Sequence, residues 1–307
     1  MVGIVGALFA GLFLPAPPGA QAPLGVVRTG AVVVLFFLYG ARLRGREVWS
    51  GVRNWRLQLL TPVVTFVIYP LVGLAVSAAL EPWLGVFSLG VLFTALLPST
   101  VQTSITLTSI ARGNVAGAVV AATVSNLAGV FLTPVLVMIY LGGEVGIGFA
   151  QFGKVAAQIL LPFVVGQVAG RWIGNWLRAR PRLTRAWDQS TLVLIVYISV
   201  GQATTAGAWE SVSAPMLAAL LVSCLLLLAP VLALTWWGGA ALRLDRPDRI
   251  AFLMCGSVKA LTSGLPMAAV LFPPELLAAA TIPVVLFHQV QLVVKSVLAQ
   301  RLAARSG

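Results

Sequence analysis

Apolar residues run along this chain in blocks of roughly twenty, and the charged positions fall into short gaps between them. A block of that length crosses the hydrocarbon of a bilayer as a helix, because inside lipid every backbone group must find its partner within the fold. The pattern predicts ten helices, over about 2–14, 24–41, 55–79, 84–110, 114–141, 150–176, 187–207, 212–241, 249–272 and 276–301. The first is short for a full crossing and is expected to enter only part of the bilayer. Nothing basic precedes its apolar run, so it reads as a first span rather than a cleaved signal peptide. Pro98, Pro134, Pro162 and Pro266 fall inside predicted spans. Such interruptions are tolerated where the backbone lines protein or a cavity.

Composition agrees with the pattern. The 307 residues are 59% hydrophobic and 9% charged, with mean hydropathy +0.99. A soluble domain carries about 25% charged residues, so the expected class is an all-α polytopic membrane protein. The net charge of +12 would suggest nucleic-acid binding in a soluble chain. Its distribution excludes that partner. Arg42, Arg44, Arg46, Arg53 and Arg56 share one predicted loop, and Arg171, Arg178, Arg180, Arg182 and Arg185 share another. Glu81, Glu144, Glu210 and Glu275 fall in the opposite set of loops, with Arg28 and Lys154 as exceptions. This is the positive-inside pattern. It predicts a multi-pass protein of the cell (inner) membrane with both termini cytoplasmic. Trp49, Trp55, Trp83, Trp172 and Trp176 read as interface anchors. Cys224 and Cys255 have neither metal nor disulfide spacing and read as small packing residues.

Ten spans divide into five and five. Homologous halves with an odd number of spans have opposite orientations, so residues 1–142 and 143–307 are expected to be inverted repeats of one membrane domain. Spans four and nine hold matching places, and both are apolar at the ends and polar in the middle. Broken helices at matching places of inverted repeats mark a transporter site.

Span nine holds the most informative residue. Lys259 lies inside the run Ile250–Phe272, about 15 Å from Arg249 and about 24 Å from Glu275 along a helix. That distance exceeds the reach of a lysine stem to either surface. No acidic residue appears at membrane depth, and an ammonium there usually marks an ion or substrate pathway. Ser257, Thr262 and Ser263 accompany it; Thr262 and Ser263 share its face if the helix is continuous, while Gly256, Gly264 and Pro266 could break it. The same lysine could instead cap the carbonyls of a neighbouring broken helix. Span four offers Pro98 followed by Ser99, Thr100, Gln102, Thr103 and Ser104, a hydroxyl-rich run suited to an ion or a substrate, or to close helix packing. Span five adds Ser125 and Asn126, and span ten adds His288, the only histidine, followed by Gln289 and Gln291. His288 is a candidate proton relay or an interhelical hydrogen-bonding group. Lys295, nearer the helix end, is expected to snorkel. No phosphate loop, metal cluster or nucleophile–base pair is present in the sequence, which argues against an enzyme.

Two segments carry a resemblance over most of the chain. One is Ser257-Val-Lys259-Ala-Leu-Thr262, then Gly264-Leu-Pro266-Met267, on to Ile282-Pro283 and Phe287-His288. The other is Leu97-Pro98-Ser99-Thr100-Val101-Gln102-Thr103-Ser104, then Arg112-Gly113-Asn114 and Leu132-Thr133-Pro134. They resemble the bile acid:sodium symporter family, in its divergent branch typified by human solute carrier family 10 member 7 and bacterial relatives. The resemblance implies a core and a panel, with helices four and nine unwound and crossing in the core. It also implies secondary transport of a small organic anion by alternating access, coupled to an ion. In the bile-acid branch, sodium sites around that crossing include a carboxylate on span nine. Here the segment CGSVKALTSG has none, which leaves at most a sodium site near Gln102, Asn126 and Ser257.

Two couplings are therefore open: a tethered ammonium that replaces sodium and pairs with the anion, or a lysine that carries a proton. No other cofactor is expected. The alternative class is a non-transporting membrane regulator of ion or glycan homeostasis. A channel would need a ring of charge in a span. A cation/proton antiporter would need an embedded carboxylate.

Overall fold

The computed structural model describes residues 2–42, 55–145, 149–205 and 213–304. Arg44, Arg46, Trp49, Arg53 and Glu210 lie outside the described residues, as do the side chains of Glu144 and Lys154. Among the described residues all regular structure is helical. The apolar blocks form α1 (Val2–Phe13), α2 (Pro18–Arg42) and α3 (Trp55–Leu84), then α4 (Phe87–Leu96) and α5 (Val101–Ile110). After these come α6 (Val115–Val145), α7 (Phe149–Arg178), α8 (Pro181–Thr205) and α9 (Ala214–Ala241). The last are α10 (Arg246–Gly256), α11 (Leu261–Leu271) and α12 (Pro274–Ala304). Two predicted spans are each split in two, α4 from α5 and α10 from α11. Pro134 and Pro162 are accommodated inside α6 and α7. Among the described residues six stretches are long and apolar enough to cross a bilayer, and the α4–α5 pair, bent by 68°, would make a seventh. The chain is a multi-pass helical membrane protein.

The fold divides into two compact units, each drawing on both halves of the chain. The first comprises Met1–Arg44, Val137–Ser213 and Gly264–Thr281. Its tightest pairing is α2 against α7. Gly40 lies against the Phe163 carbonyl and Gly166 against the Phe37 carbonyl, so neither position has room for a Cβ. With no hydrophobic drive between helices in lipid, such small residues let backbones approach and gain dispersion contacts. At the end of that pairing Arg42 makes a forked ion pair with Asp188 of α8, at 3.0 and 3.1 Å. Arg178 donates to the Arg42 carbonyl at 3.3 Å.

The second unit comprises Gly45–Leu136, Ala214–Ser263 and Ile282–Gly307. Leu107 and Ala111 of the α5 end pack with Ile250, Leu253 and Met254 of α10 and Ala299 and Leu302 of α12. The same stop–start device is used twice here. After α5, Arg112 takes a left-handed turn (φ 58°), and the Gly113 N–H bonds the Thr108 carbonyl at 2.8 Å. Asn114 then caps α6 through the Gly117 N–H at 2.8 Å. After α9, Arg243 (φ 57°) repeats the turn, and the Leu244 N–H bonds the Gly239 carbonyl at 2.9 Å. Asp245 then caps α10 through the Asp248 N–H at 2.9 Å. Each is a six-to-one helix stop followed directly by an N-cap. The Asn114 side chain donates to Asp248 at 2.7 Å and ties the two starts together. The Arg112-Gly113-Asn114 segment of the sequence thus ends α5 and ties the start of α6 to that of α10.

Candidate functional site

Three local faults in helix bonding, two of them at prolines, build the site inside the second unit. The first is in α3. Pro70 has no N–H, and Tyr69 gives its own to the Val64 carbonyl across a π turn, Val64–Ile68. The Thr65 carbonyl is left without a helical partner. The second fault follows α4. Pro98 cannot donate to Thr94, and residues 97–100 are extended or irregular before α5 restarts at Val101. The third is the stretch 257–260, between α10 and α11.

Buried backbone groups must be paired, so these freed groups can be accounted for one by one. The Leu96 carbonyl accepts from Thr133 at 2.9 Å. The Pro98 carbonyl accepts from the Ala260 N–H at 2.8 Å, which brings the two breaks into contact. The Ser99 N–H donates to Ser125 Oγ at 3.1 Å, and Ser99 Oγ donates to the Cys255 carbonyl at 2.8 Å. Ser104 donates to the Met254 carbonyl at 3.3 Å. Tyr69 donates to the Ser257 carbonyl at 3.0 Å, and Ser257 Oγ donates to the Leu253 carbonyl. Gln291 of α12 pairs with both backbone groups of Lys259, accepting from its N–H at 2.9 Å and donating to its carbonyl at 2.8 Å.

Three further carbonyls, from two of the faults, are taken by one side chain. The Lys259 ammonium donates to Thr65 O at 2.9 Å, Ala95 O at 2.7 Å and Leu97 O at 2.7 Å. It also stands 4.1 Å from the centre of the Tyr69 ring. An ammonium has three N–H donors, and three carbonyls use every one. A neutral amine has two, so the cage fits the charged form. The cage is electrostatically apt. Ala95 and Leu97 lie at the C-terminal, negative end of α4, and the ring face adds a cation–π contact. Lys259 is 2% exposed, so these contacts stand in for its hydration shell.

The profile of the SBF-like CPA transporter family matches residues 1–304. The chain belongs to the SBF-like CPA transporter family. Among its relatives is an uncharacterised protein of Pseudomonas aeruginosa, PA2026, 42% identical over 99% of this chain and 92% of its own. YfeH, a candidate symporter of Escherichia coli, is 38% identical over 89% of this chain and 83% of its own. Mouse sodium/bile acid cotransporter 7 is 26% identical over 97% of this chain and 90% of its own. This SBF-like protein is a transporter and not an enzyme.

The transporter's hydrogen bonds bring together Ser99, Ser104, Ser125, Ser257, Lys259 and His288 of the sequence candidates. His288 enters through Gln291, whose Nε2 lies 2.9 Å from His288 Nδ1. Because that amide nitrogen only donates, Nδ1 is the acceptor and the ring hydrogen sits on Nε2. Thr100 is buried at the start of α5, and Thr103 and Asn126 are half-buried. Gln102 and Thr262 are exposed, on the first turns of α5 and α11. Ser263 is buried, and its hydroxyl has no partner among the described residues. The helix is not continuous here, so the condition for a shared face is not met. Lys259 lies in the break, so it shares no helix face with Thr262 and Ser263. The break starts directly after Gly256, and both Gly264 and Pro266 lie within α11. Lys295 does not snorkel either. It is 0% exposed and donates to the Met254 carbonyl at 2.9 Å, because α10 stops at Gly256 and its last carbonyls are free.

Tyr69 and Pro70 are not among the sequence candidates, and Gln291 and Thr133 enter there only as neighbours of His288 and Pro134. Pro70 inside an apolar run was a readable signal for a freed carbonyl, but its partner across 194 positions was not. The Ser99–Ser125 bond is open to a simple test. Ser125→Ala leaves one buried N–H unpaired and is expected to cost about 1–2 kcal/mol, read as a lower melting temperature of the purified protein. An unchanged melt would show that the break tolerates an open donor.

Proposed function

We propose that this protein is a secondary active transporter of a small organic anion, working by alternating access around the contact between the two broken stretches. We further propose ten crossings arranged as two inverted five-helix repeats, 1–142 and 143–307, with both termini cytoplasmic in the cell (inner) membrane. The observation that carries the reading is the caged ammonium of Lys259. A positive charge at membrane depth usually marks an ion or substrate pathway, and here unwound backbone holds it. The family and the name of the mouse relative support an anion as cargo.

The coupling ion we propose is the proton. Sodium would need oxygen ligands and negative charge at the breaks. Among the described residues neither break holds a carboxylate, and Lys259 already fills the carbonyl cage with a cation of its own. Of the three residues suited by type to sodium, Ser257 donates its hydrogen to Leu253 O, Gln102 is exposed and Asn126 is half-buried. The ammonium has no free N–H in this arrangement, so the anion is held by other groups. Lys259 acts as the tethered cation that fixes the breaks.

Reconstituted protein in proteoliposomes tests this reading, with radiolabelled taurocholate and a panel of small carboxylates as probes. The expected result is uptake driven by an inward proton gradient and unchanged by sodium. Uptake that follows the sodium gradient alone, or no uptake of any probe, overturns it.

A further inference from the structure

We infer that Lys295 of α12 is the group that binds and releases the coupled proton, while Lys259 remains an ammonium throughout. This rests on the proton-coupled reading above and names the residue that performs it.

The two buried lysines differ in their acceptors. Lys259 has three carbonyls for three N–H groups. Lys295 has one hydrogen bond among the described residues, to Met254 O, an oxygen that Ser104 already shares. Both side chains are at most 2% exposed. A neutral amine with one donated hydrogen and a lone pair fits the Lys295 site. An ammonium there would bury two unpaired N–H groups with its charge, a heavy desolvation cost.

No compensating acid faces Lys295. The Cys255 thiol of α10 keeps its hydrogen and points it at the Ala118 carbonyl. Around it α5 carries no ionisable residue, and α9 carries only Cys224. On α10 the charged residues are Arg246, Asp248 and Arg249. Arg249 stacks on Trp236 of α9, and Asp248 is engaged by Asn114. On α12 itself, His288 is held by Gln291, and Arg301 is exposed. Lys259 lies in the adjacent break, and its charge disfavours a second one.

The step is simple in its balance. The Nζ lone pair of Lys295 takes one proton and no other bond is exchanged. The two N–H groups without acceptors then require an anion or water. Proton uptake therefore favours entry of an anionic cargo, and loss of the proton favours its release. This is proton–anion symport built on a base rather than on a carboxylate.

The chain has three lysines, Lys154, Lys259 and Lys295. Full-length protein labelled with 15N at lysine Nζ, in lipid nanodiscs without substrate, gives three side-chain signals, assigned with Lys154→Arg and Lys295→Met. As pH rises, the Lys295 signal is expected to change from ammonium to amine while the Lys259 signal is still that of an ammonium. A Lys295 that remains ammonium throughout, or a Lys259 that shifts instead, overturns the inference. Because no substrate is present, this outcome is independent of the flux experiment. In flux, Lys295→Met is expected to lose proton-driven taurocholate accumulation and keep exchange at equal pH. Retained accumulation overturns the inference.

Discussion

Lys259→Met is expected to destabilise the protein by about 3–5 kcal/mol, the range for removing one partner of a buried charged contact. Methionine fills nearly the same volume, so packing is not the cause. The loss comes from three carbonyls, Thr65, Ala95 and Leu97, that have no other donor within the second unit. Each pays the desolvation cost of an unpaired buried acceptor. Lys259→Arg is expected to fail as well. A planar guanidinium donates in a flat fork and cannot converge on three oxygens around one centre. The measurement is thermal or denaturant melting of the purified protein in micelles, with proteoliposome uptake alongside. A melt equal to the parent's would mean that the cage contributes no stability.

Gly166→Ala is expected to have the next largest effect, about 3 kcal/mol. Its new Cβ would overlap the Phe37 carbonyl oxygen of α2, and backbone cannot swing aside as a side chain does. Gly40→Ala would meet the Phe163 carbonyl of α7 in the same way. The two substitutions act on one contact. Once the first has spread the helices, the second has less left to lose, so the double variant should fall well short of the sum. Full additivity in melting experiments would show two independent contacts instead.

The helices themselves were legible because lipid fixes both their length and their apolar composition. Among the described residues helices lie over the predicted blocks, six of the stretches long and apolar enough to cross a bilayer, and α4–α5 and α10–α11 are broken where polar residues interrupt the apolar pattern. Ser99, Ser104, Ser125 and Ser257 could be named for the same reason: a hydroxyl in lipid must bond something. What it bonds could not be read. Ser99 donates to a carbonyl 156 positions away, and nothing in either local sequence specifies that partner. The two lysines differ in how far the sequence reaches. Lys259 reads as a group on a transport pathway or as a cap for a broken helix, and it caps carbonyls; Lys295 reads as a snorkelling residue, and it is buried. The number of carbonyls around each, set by where neighbouring helices stop, decides both.

The π turn of α3 ties chain length to charge. Removing one residue from Val64–Ile68 would restore ordinary helical register and turn everything from Tyr69 onward by about 100°. A deletion between Thr65 and Tyr69 would take Tyr69 away from Ser257 and the ammonium, and would set the Thr65 carbonyl opposite Pro70, which has no N–H to give it. The place of the tyrosine ring therefore hangs on one extra residue, while Ala95 and Leu97 need the ammonium with or without it.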